Sequence, residues 1–169
     1  IQHGGTQTED EGWQGNGVDA YLDTNFNPST EGGTIYTLNN ASLAIYSMTD
    51  VAETKADIGA RTTTSDYTVI MSRIATGLSS SRLHGATHPV VNGSVPSSIG
   101  LFSIMRNGAD AASFYGYQNL DTITSSLSGV TTNIPNSKIF IGARSISDVP
   151  ELFSTRKYAI RVSINITIK

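Results

Sequence analysis

The sequence predicts an all-β chain, an antiparallel two-sheet β-sandwich of the jelly-roll type, and three observations carry that expectation. About ten short runs of alternating or β-branched residues are separated by turn residues at intervals of roughly eight to twelve positions, with almost no helical periodicity between them. Asn107-Gly108 stands between two such runs, and both residues tolerate the positive φ of a type I′ hairpin turn. Finally, Tyr158, Ile160, Val162, Ile164, Ile166 and Ile168 occupy alternate positions of 157–169. They line one face of a strand, and a one-residue slip would turn the whole row into water.

Taken in order, 1–12 shows no apolar period, carries Gly4, Gly5 and Gly12, and ends near the acidic triplet Glu9-Asp10-Glu11. It reads as a flexible arm or linker, leaving 13–169 as a single sandwich domain. Strands begin at Trp13: Val18, Ala20 and Leu22 alternate with Asp19, Tyr21 and Asp23. The segment 25–33 is dense in turn residues. A hairpin is expected from 34–38 and 41–48 joined at Asn39-Asn40, with Leu43 and Ile45 on one face and Tyr46 and Met48 on the other. The one helical-looking piece, 51–57, is too short to stand without tertiary support. By contrast 67–74 is apolar on both faces, which suggests a central strand between two layers. The stretch 77–96 is rich in Ser, Gly and His and reads as a long loop. Strands are expected at 99–106 and 110–117, at 120–127, at Ile139-Phe140-Ile141 after the Pro135-Asn136 turn, and at 157–169. The last two form the pair on which the fold is built.

Composition narrows the function. With 169 residues and 38% apolar content the chain suits one domain. No run approaches the roughly 20 apolar residues that span a bilayer as a helix. There is no cysteine, so disulfides, thiolate metal sites and cysteine nucleophiles are excluded. A net charge of −3, with charged residues at only 15%, argues against nucleic acid as a partner. The only local basic concentration is Arg156, Lys157 and Arg161. The chain starts at Ile1 rather than Met, as a processed chain or a piece of a longer one would.

No catalytic set stands out. His84 and His88 have helical metal-ligand spacing, but Gly85 and Pro89 disfavour a helix and no glutamate follows the first histidine. Asp19 and Asp23 share a strand face but sit about 13 Å apart, beyond the separation two catalytic carboxylates need. Ser79-Ser80-Ser81 lacks a nucleophile elbow. Calcium has no Asp-x-Asn-x-Asp-Gly loop to hold it, so no cofactor is expected. The sharper candidate is aromatic: in Phe114-Tyr115-Gly116-Tyr117 the two tyrosines share a strand face with a glycine between them. Exposed tyrosines stack on sugar rings, although cross-strand packing is the plainer role. Trp13, the single tryptophan, and the loop histidines His84 and His88 complete the set of candidate glycan contacts.

Three segments together resemble concanavalin A-like, laminin-G-type sandwiches. These are Gly15-Asn-Gly-Val-Asp-Ala-Tyr-Leu-Asp-Thr24, Phe102-Ser-Ile-Met-Arg-Asn-Gly108, and Lys138-Ile-Phe-Ile-Gly-Ala-Arg144 followed by Phe153-Ser-Thr-Arg-Lys-Tyr-Ala159. With Asn25-Phe-Asn-Pro-Ser29 and Tyr36-Thr-Leu-Asn-Asn-Ala-Ser42, the chain is similar to lectin-like domains of bacteriophage tail and other virion structural proteins. The resemblance implies a non-enzymatic virion component of a tail or fibre. Such a module contacts a cell-surface glycan or decorates the particle, as a homo-oligomer among other virion proteins. A glycan-active enzyme of the same fold and a purely self-assembling structural module are the alternatives. Ile166 and Ile168, which run past the closing strand of such folds, are expected to be covered by the arm, the first strand or another subunit.

Overall fold

The computed structural model describes residues 1–9, 11–85, 91–108, 114–119, 121–122 and 133–159. Its strands are β1 (Gln2–His3), β2 (Thr6–Thr8), β3 (Gly12–Gln14), β4 (Tyr21–Asp23), β5 (Asn40–Ser47), β6 (Ile58–Arg61), β7 (Tyr67–Met71) and β8 (Leu78–Gly85). There follow β9 (Val91–Ser94), β10 (Gly100–Asn107), β11 (Phe114–Gln118), β12 (Asp121–Thr122), β13 (Phe140–Ile141), β14 (Arg144–Ile146), β15 (Val149–Glu151) and β16 (Lys157–Tyr158). Among the described residues one sheet runs β1-β4-β13-β6-β7-β8-β9, with β14 added beside β6 and β15 beside β14; the other runs β12-β11-β10-β5-β16-β3-β2. The molecule is an all-β two-sheet sandwich, and among the described residues the one parallel pairing is β14 with β6.

The alternation in the sequence explains how the sheets meet. Along β5, Ala41, Leu43, Ile45 and Ser47 are buried while the residues between them are exposed. Strand β10 pairs with all of β5, from Gly100 opposite Ser47 to Asn107 opposite Asn40, and turns Phe102 and Ile104 to the same side. Facing them across the core are Ile58 and Ala60 of β6, Ile70 of β7 and Leu83 of β8. Strand β7 is central, between β6 and β8, as its two-sided apolar pattern implies. Ile70 joins the core cluster, and Val69 is buried on the opposite face.

Several expectations are corrected. The segment 1–12 is not a free arm: β1 pairs with β4 in one sheet and β2 with β3 in the other. Its polar residues need no buried face, because edge strands are held by backbone hydrogen bonds. The segment 51–57 is not helical, and the described helix is α1 (Pro28–Glu31), inside the stretch read as turns. The Asn27 side chain accepts from the Ser29 N–H, Pro28 opens the helix, and Glu31 reaches back to the Asn27 N–H at 2.5 Å. Only a single bridge, Thr37 with Asn40, represents the first expected hairpin. The loop expected over 77–96 contains β8 and β9. There Ser79 and Ser81 occupy buried positions, so the strand has no hydrophobic period to read.

The second hairpin forms with a different turn. Arg106 pairs with Phe114, whereas a two-residue turn at Asn107-Gly108 would pair it with Ala109. Asn107 instead continues the ladder with Asn40, and Gly108 donates to the Asn39 carbonyl at 2.6 Å. Pairing with β5 outweighs the local turn preference. Of the final run, Lys157 and Tyr158 form β16; 160–169, including Ile166 and Ile168, lie outside the described residues.

Candidate functional site

The face of the first sheet turned away from the core carries a cleft of about 230 Å³. Period-two geometry builds it: Tyr67, Val69 and Met71 project from β7, and Ser80 and Arg82 from the adjacent β8. Arg144 of β14 closes one side, and Thr54 and Ile74 lie at the rim. The residues that alternate with these along the two strands, Thr68, Ile70, Ser81 and Leu83, are buried.

Tyr67 gathers charge. The guanidinium carbons of Arg61, Arg82 and Arg144 stand 5.0, 4.6 and 4.8 Å from its ring centroid. Cation–π attraction is the force available for such an arrangement, about 0.5–1 kcal/mol each at exposed sites and more where water is excluded. Arg61 also donates to the Tyr67 hydroxyl. Glu151 of β15 accepts from Arg144 Nε at 2.6 Å and from Arg144 Nη2, and lies 3.6 Å from Arg61. Burial, with the like charges of Arg144 and Arg61, pushes the Arg82 guanidinium below its ordinary value, while Tyr67 opposes the shift. The Arg61 Nε–H is buried without a hydrogen-bond acceptor. An apolar floor with guanidinium and hydroxyl walls suits a polar ligand that has both a hydrophobic face and an anionic or hydroxylic rim.

A bulge sets the position of Tyr67. Thr68 pairs with Leu83 but Tyr67 pairs with Gly85, which leaves His84 as the extra residue, at φ 58°. His84 is fully buried, so it is not a surface contact for a sugar. Its Nδ1–H donates to the Leu38 carbonyl at 2.9 Å, its ring meets Tyr36 edge-on at 5.1 Å, and its Nε2 has no partner. Burial pushes the imidazole down to about 4, with the Leu38 hydrogen bond opposing the shift and the Arg106 charge adding to it.

The consequence for stability has a definite sign. Above about pH 6.5 an unfolded histidine is neutral too, and the shift costs nothing. Between about 6.5 and about 4 the unfolded chain binds a proton that folded His84 refuses, so stability falls with pH. The loss is about 1.4 kcal/mol per unit, about 3 kcal/mol in all. His84→Asn, which tolerates the left-handed backbone, is expected to flatten this part of the profile. Urea unfolding of both proteins across the window checks it; parallel profiles would show that His84 contributes nothing.

The other expected contacts do not converge on the cleft. Trp13 is fully buried in the core, so its ring faces are closed to a ligand. Tyr115 and Tyr117 lie on β11 in the other sheet, their backbones opposite Met105 and Ser103, and their side chains fall outside what is described. His88 also lies outside the described residues. Asp19 is exposed and accepts from Asn16 Nδ2, while Asp23 is buried and pairs with Lys138 at 3.3 Å, so they form no acid–base pair. No group of three or more metal-ligating side chains occurs among the described residues. Sequence reasoning missed Arg61, Tyr67, Arg82 and Arg144. The one legible signal was the period-two row Tyr67, Val69, Met71, which gives a central strand a second apolar face. Compared with family models, with curated proteins and with solved structures, the chain finds no match in any of the three.

Proposed function

We propose that this chain is a non-enzymatic adhesion module of a virion, from a phage tail or fibre, that holds a cell-surface glycan in the Tyr67 cleft. The observation that carries the reading is the cleft itself: Val69, Met71 and Ile74 offer apolar surface to the C–H face of a sugar, and Ser80, Thr54, Arg82 and Arg144 offer polar groups to its rim. Binding without turnover fits the carboxylate present. Glu151 already accepts twice from Arg144, an arrangement that positions arginines and leaves little freedom for proton transfer. The virion assignment rests on the resemblance of the Gly15–Thr24, Phe102–Gly108 and Lys138–Ala159 segments to lectin-like tail domains.

A glycan array followed by a hydrolysis screen of every bound structure tests the reading. The expected result is retention of at least one glycan with no release of reducing ends. Turnover of any polysaccharide would replace this reading with a glycan-active enzyme. A second reading, a structural module that binds copies of itself, is favoured by Tyr46, Met48 and Met105, which are exposed at 44%, 38% and 39%. An empty array together with a multimer in light scattering would select it.

A further inference from the structure

We infer that the second edge of β5 is a strand-accepting surface, and that its occupant is 160–164 of this same chain, added in direct continuation of β16. The inference is independent of the glycan reading, since it concerns the other sheet.

Backbone register is the first argument. Strand β5 pairs along one edge with β10, from Asn40 to Ser47. On its other edge Tyr158 of β16 lies opposite Ser47, the Met48 N–H donates to the Lys157 carbonyl at 2.8 Å, and the Ala159 N–H donates to the Tyr46 carbonyl at 3.1 Å. At the far end Asn40 exchanges backbone hydrogen bonds with Thr37. Between these two points Ser42 and Ala44 direct N–H and C=O to the same side as Tyr46 and Met48, because the hydrogen-bonding side alternates along an antiparallel strand. Among the described residues no strand pairs with them there. Four backbone groups in the middle of a sheet are a template for one more strand.

Side-chain parity is the second. Carried forward from Tyr158 opposite Ser47, the register sets Ile160 against Ile45, Val162 against Leu43 and Ile164 against Ala41, all three buried positions of β5. Arg161 and Ser163 fall against Ala44 and Ser42, which are exposed. A strand entering one residue out of register would send Arg161 into the core. Reach is the third. Ala159 is already bonded to Tyr46, so Ile160 begins one peptide bond from its place. At about 3.3 Å per residue, 160–164 covers about 17 Å, the run of β5 from Ile45 to Ala41. A tethered segment acts at a high effective concentration, whereas the same segment of a second copy bears the entropic cost of association.

The chain has no cysteine, so a pair of introduced ones reports the pairing directly. In the full chain, Ser42→Cys with Ser163→Cys places two thiols on directly opposed, outward positions about 5.5 Å apart at Cα, within disulfide range. Ser42→Cys with Asn165→Cys is the diagonal control, at roughly 7–8 Å. Mild oxidation followed by non-reducing electrophoresis and mass spectrometry is expected to give an intramolecular disulfide at least about 10-fold faster in the first pair than in the second. Equal rates, or no disulfide in the first pair, overturns the inference. A disulfide formed only between molecules overturns the assignment to the same chain. Independently, Val162→Asp is expected to lower the thermal midpoint by about 5 °C or more, through a charge set on the inward face, and Ser163→Asp by less than about 2 °C. Equal midpoints for these two variants overturn the register.

Discussion

Replacing Arg156 with Met is expected to destabilise the protein by about 3–5 kcal/mol, the cost of removing one partner from a buried ion pair. Arg156 and Asp57 are both fully buried, and Arg156 Nη1 donates to Asp57 Oδ1 at 2.9 Å. The guanidinium fork does more than pair. Nη2 donates to the Val51 and Arg73 carbonyls at 2.7 and 2.5 Å, and Nε also reaches Val51. Asp57 in turn accepts from the Tyr158 hydroxyl and the Ser72 N–H, and the Tyr158 hydroxyl oxygen lies 2.7 Å from Ser154 Oγ. One side chain therefore ties the 51–57 segment, the exit of β7 and strand β16 together across the two sheets. Burial opposes the charge on Arg156, but Asp57, Tyr158 and Glu53 outweigh it and hold the guanidinium above its ordinary value.

Without the guanidinium, the Asp57 carboxylate is left uncompensated and carbonyls lose their donors, each a cost of order 1–3 kcal/mol. Arg156→Lys is expected to recover only a small part, because an ammonium cannot span the carboxylate and two carbonyls with a planar fork. Against a typical total of about 5–15 kcal/mol, the loss brings the chain close to unfolding. Urea titration followed by circular dichroism measures it. A loss below about 1 kcal/mol for Arg156→Met would show that the network relaxes around a neutral side chain.

Trp13→Ala is the second large effect, at about 3–5 kcal/mol. Trp13 has no exposed surface and stacks at 6.2 Å on Tyr158. Glycines make room for it: a Cβ on Gly142, which has φ 74°, would lie 2.5 Å from its ring, and one on Gly5 would lie 2.6 Å away. Its Nε1–H donates to the Gly4 carbonyl at 3.3 Å. Truncation leaves a cavity walled in part by glycine backbone, which cannot collapse cheaply. Its effect also separates core from site. The folded fraction of Trp13→Ala is expected to bind ligand as the parent does, and Trp13→Phe to recover most of the stability. A stable Trp13→Ala protein that no longer bound glycan would return Trp13 to the binding surface.

The parts of the fold legible in the sequence were those where a strand has one wet face. In β5 and β10, Leu43, Ile45, Phe102 and Ile104 alternate with polar or exposed residues, and burial follows that row directly. Strand β8 was illegible because Ser79 and Ser81 fill buried positions and Arg82 an outward one, so its period is written in size rather than hydrophobicity. The first residues were illegible for another reason. Strands β1 and β2 are edges, and an edge is held by backbone hydrogen bonds that any side chain permits.

The candidate site lies almost wholly on the tertiary side of that division. Arg61, Tyr67, Arg82 and Arg144 come from four strands, and nothing in their spacing marks them as neighbours. They meet because β6 lies between β7 and β14, because β8 pairs with β7, and because the His84 bulge sets Tyr67 against Gly85. Likewise Arg156 reads as a surface cation until the chain crossing brings Asp57 to it. By itself the sequence determined an all-β two-sheet sandwich, since alternation and turn chemistry act over a few residues. Which face became a core, which a cleft, and which charges were enclosed was decided by strand order, because those outcomes depend on contacts between residues far apart in the chain.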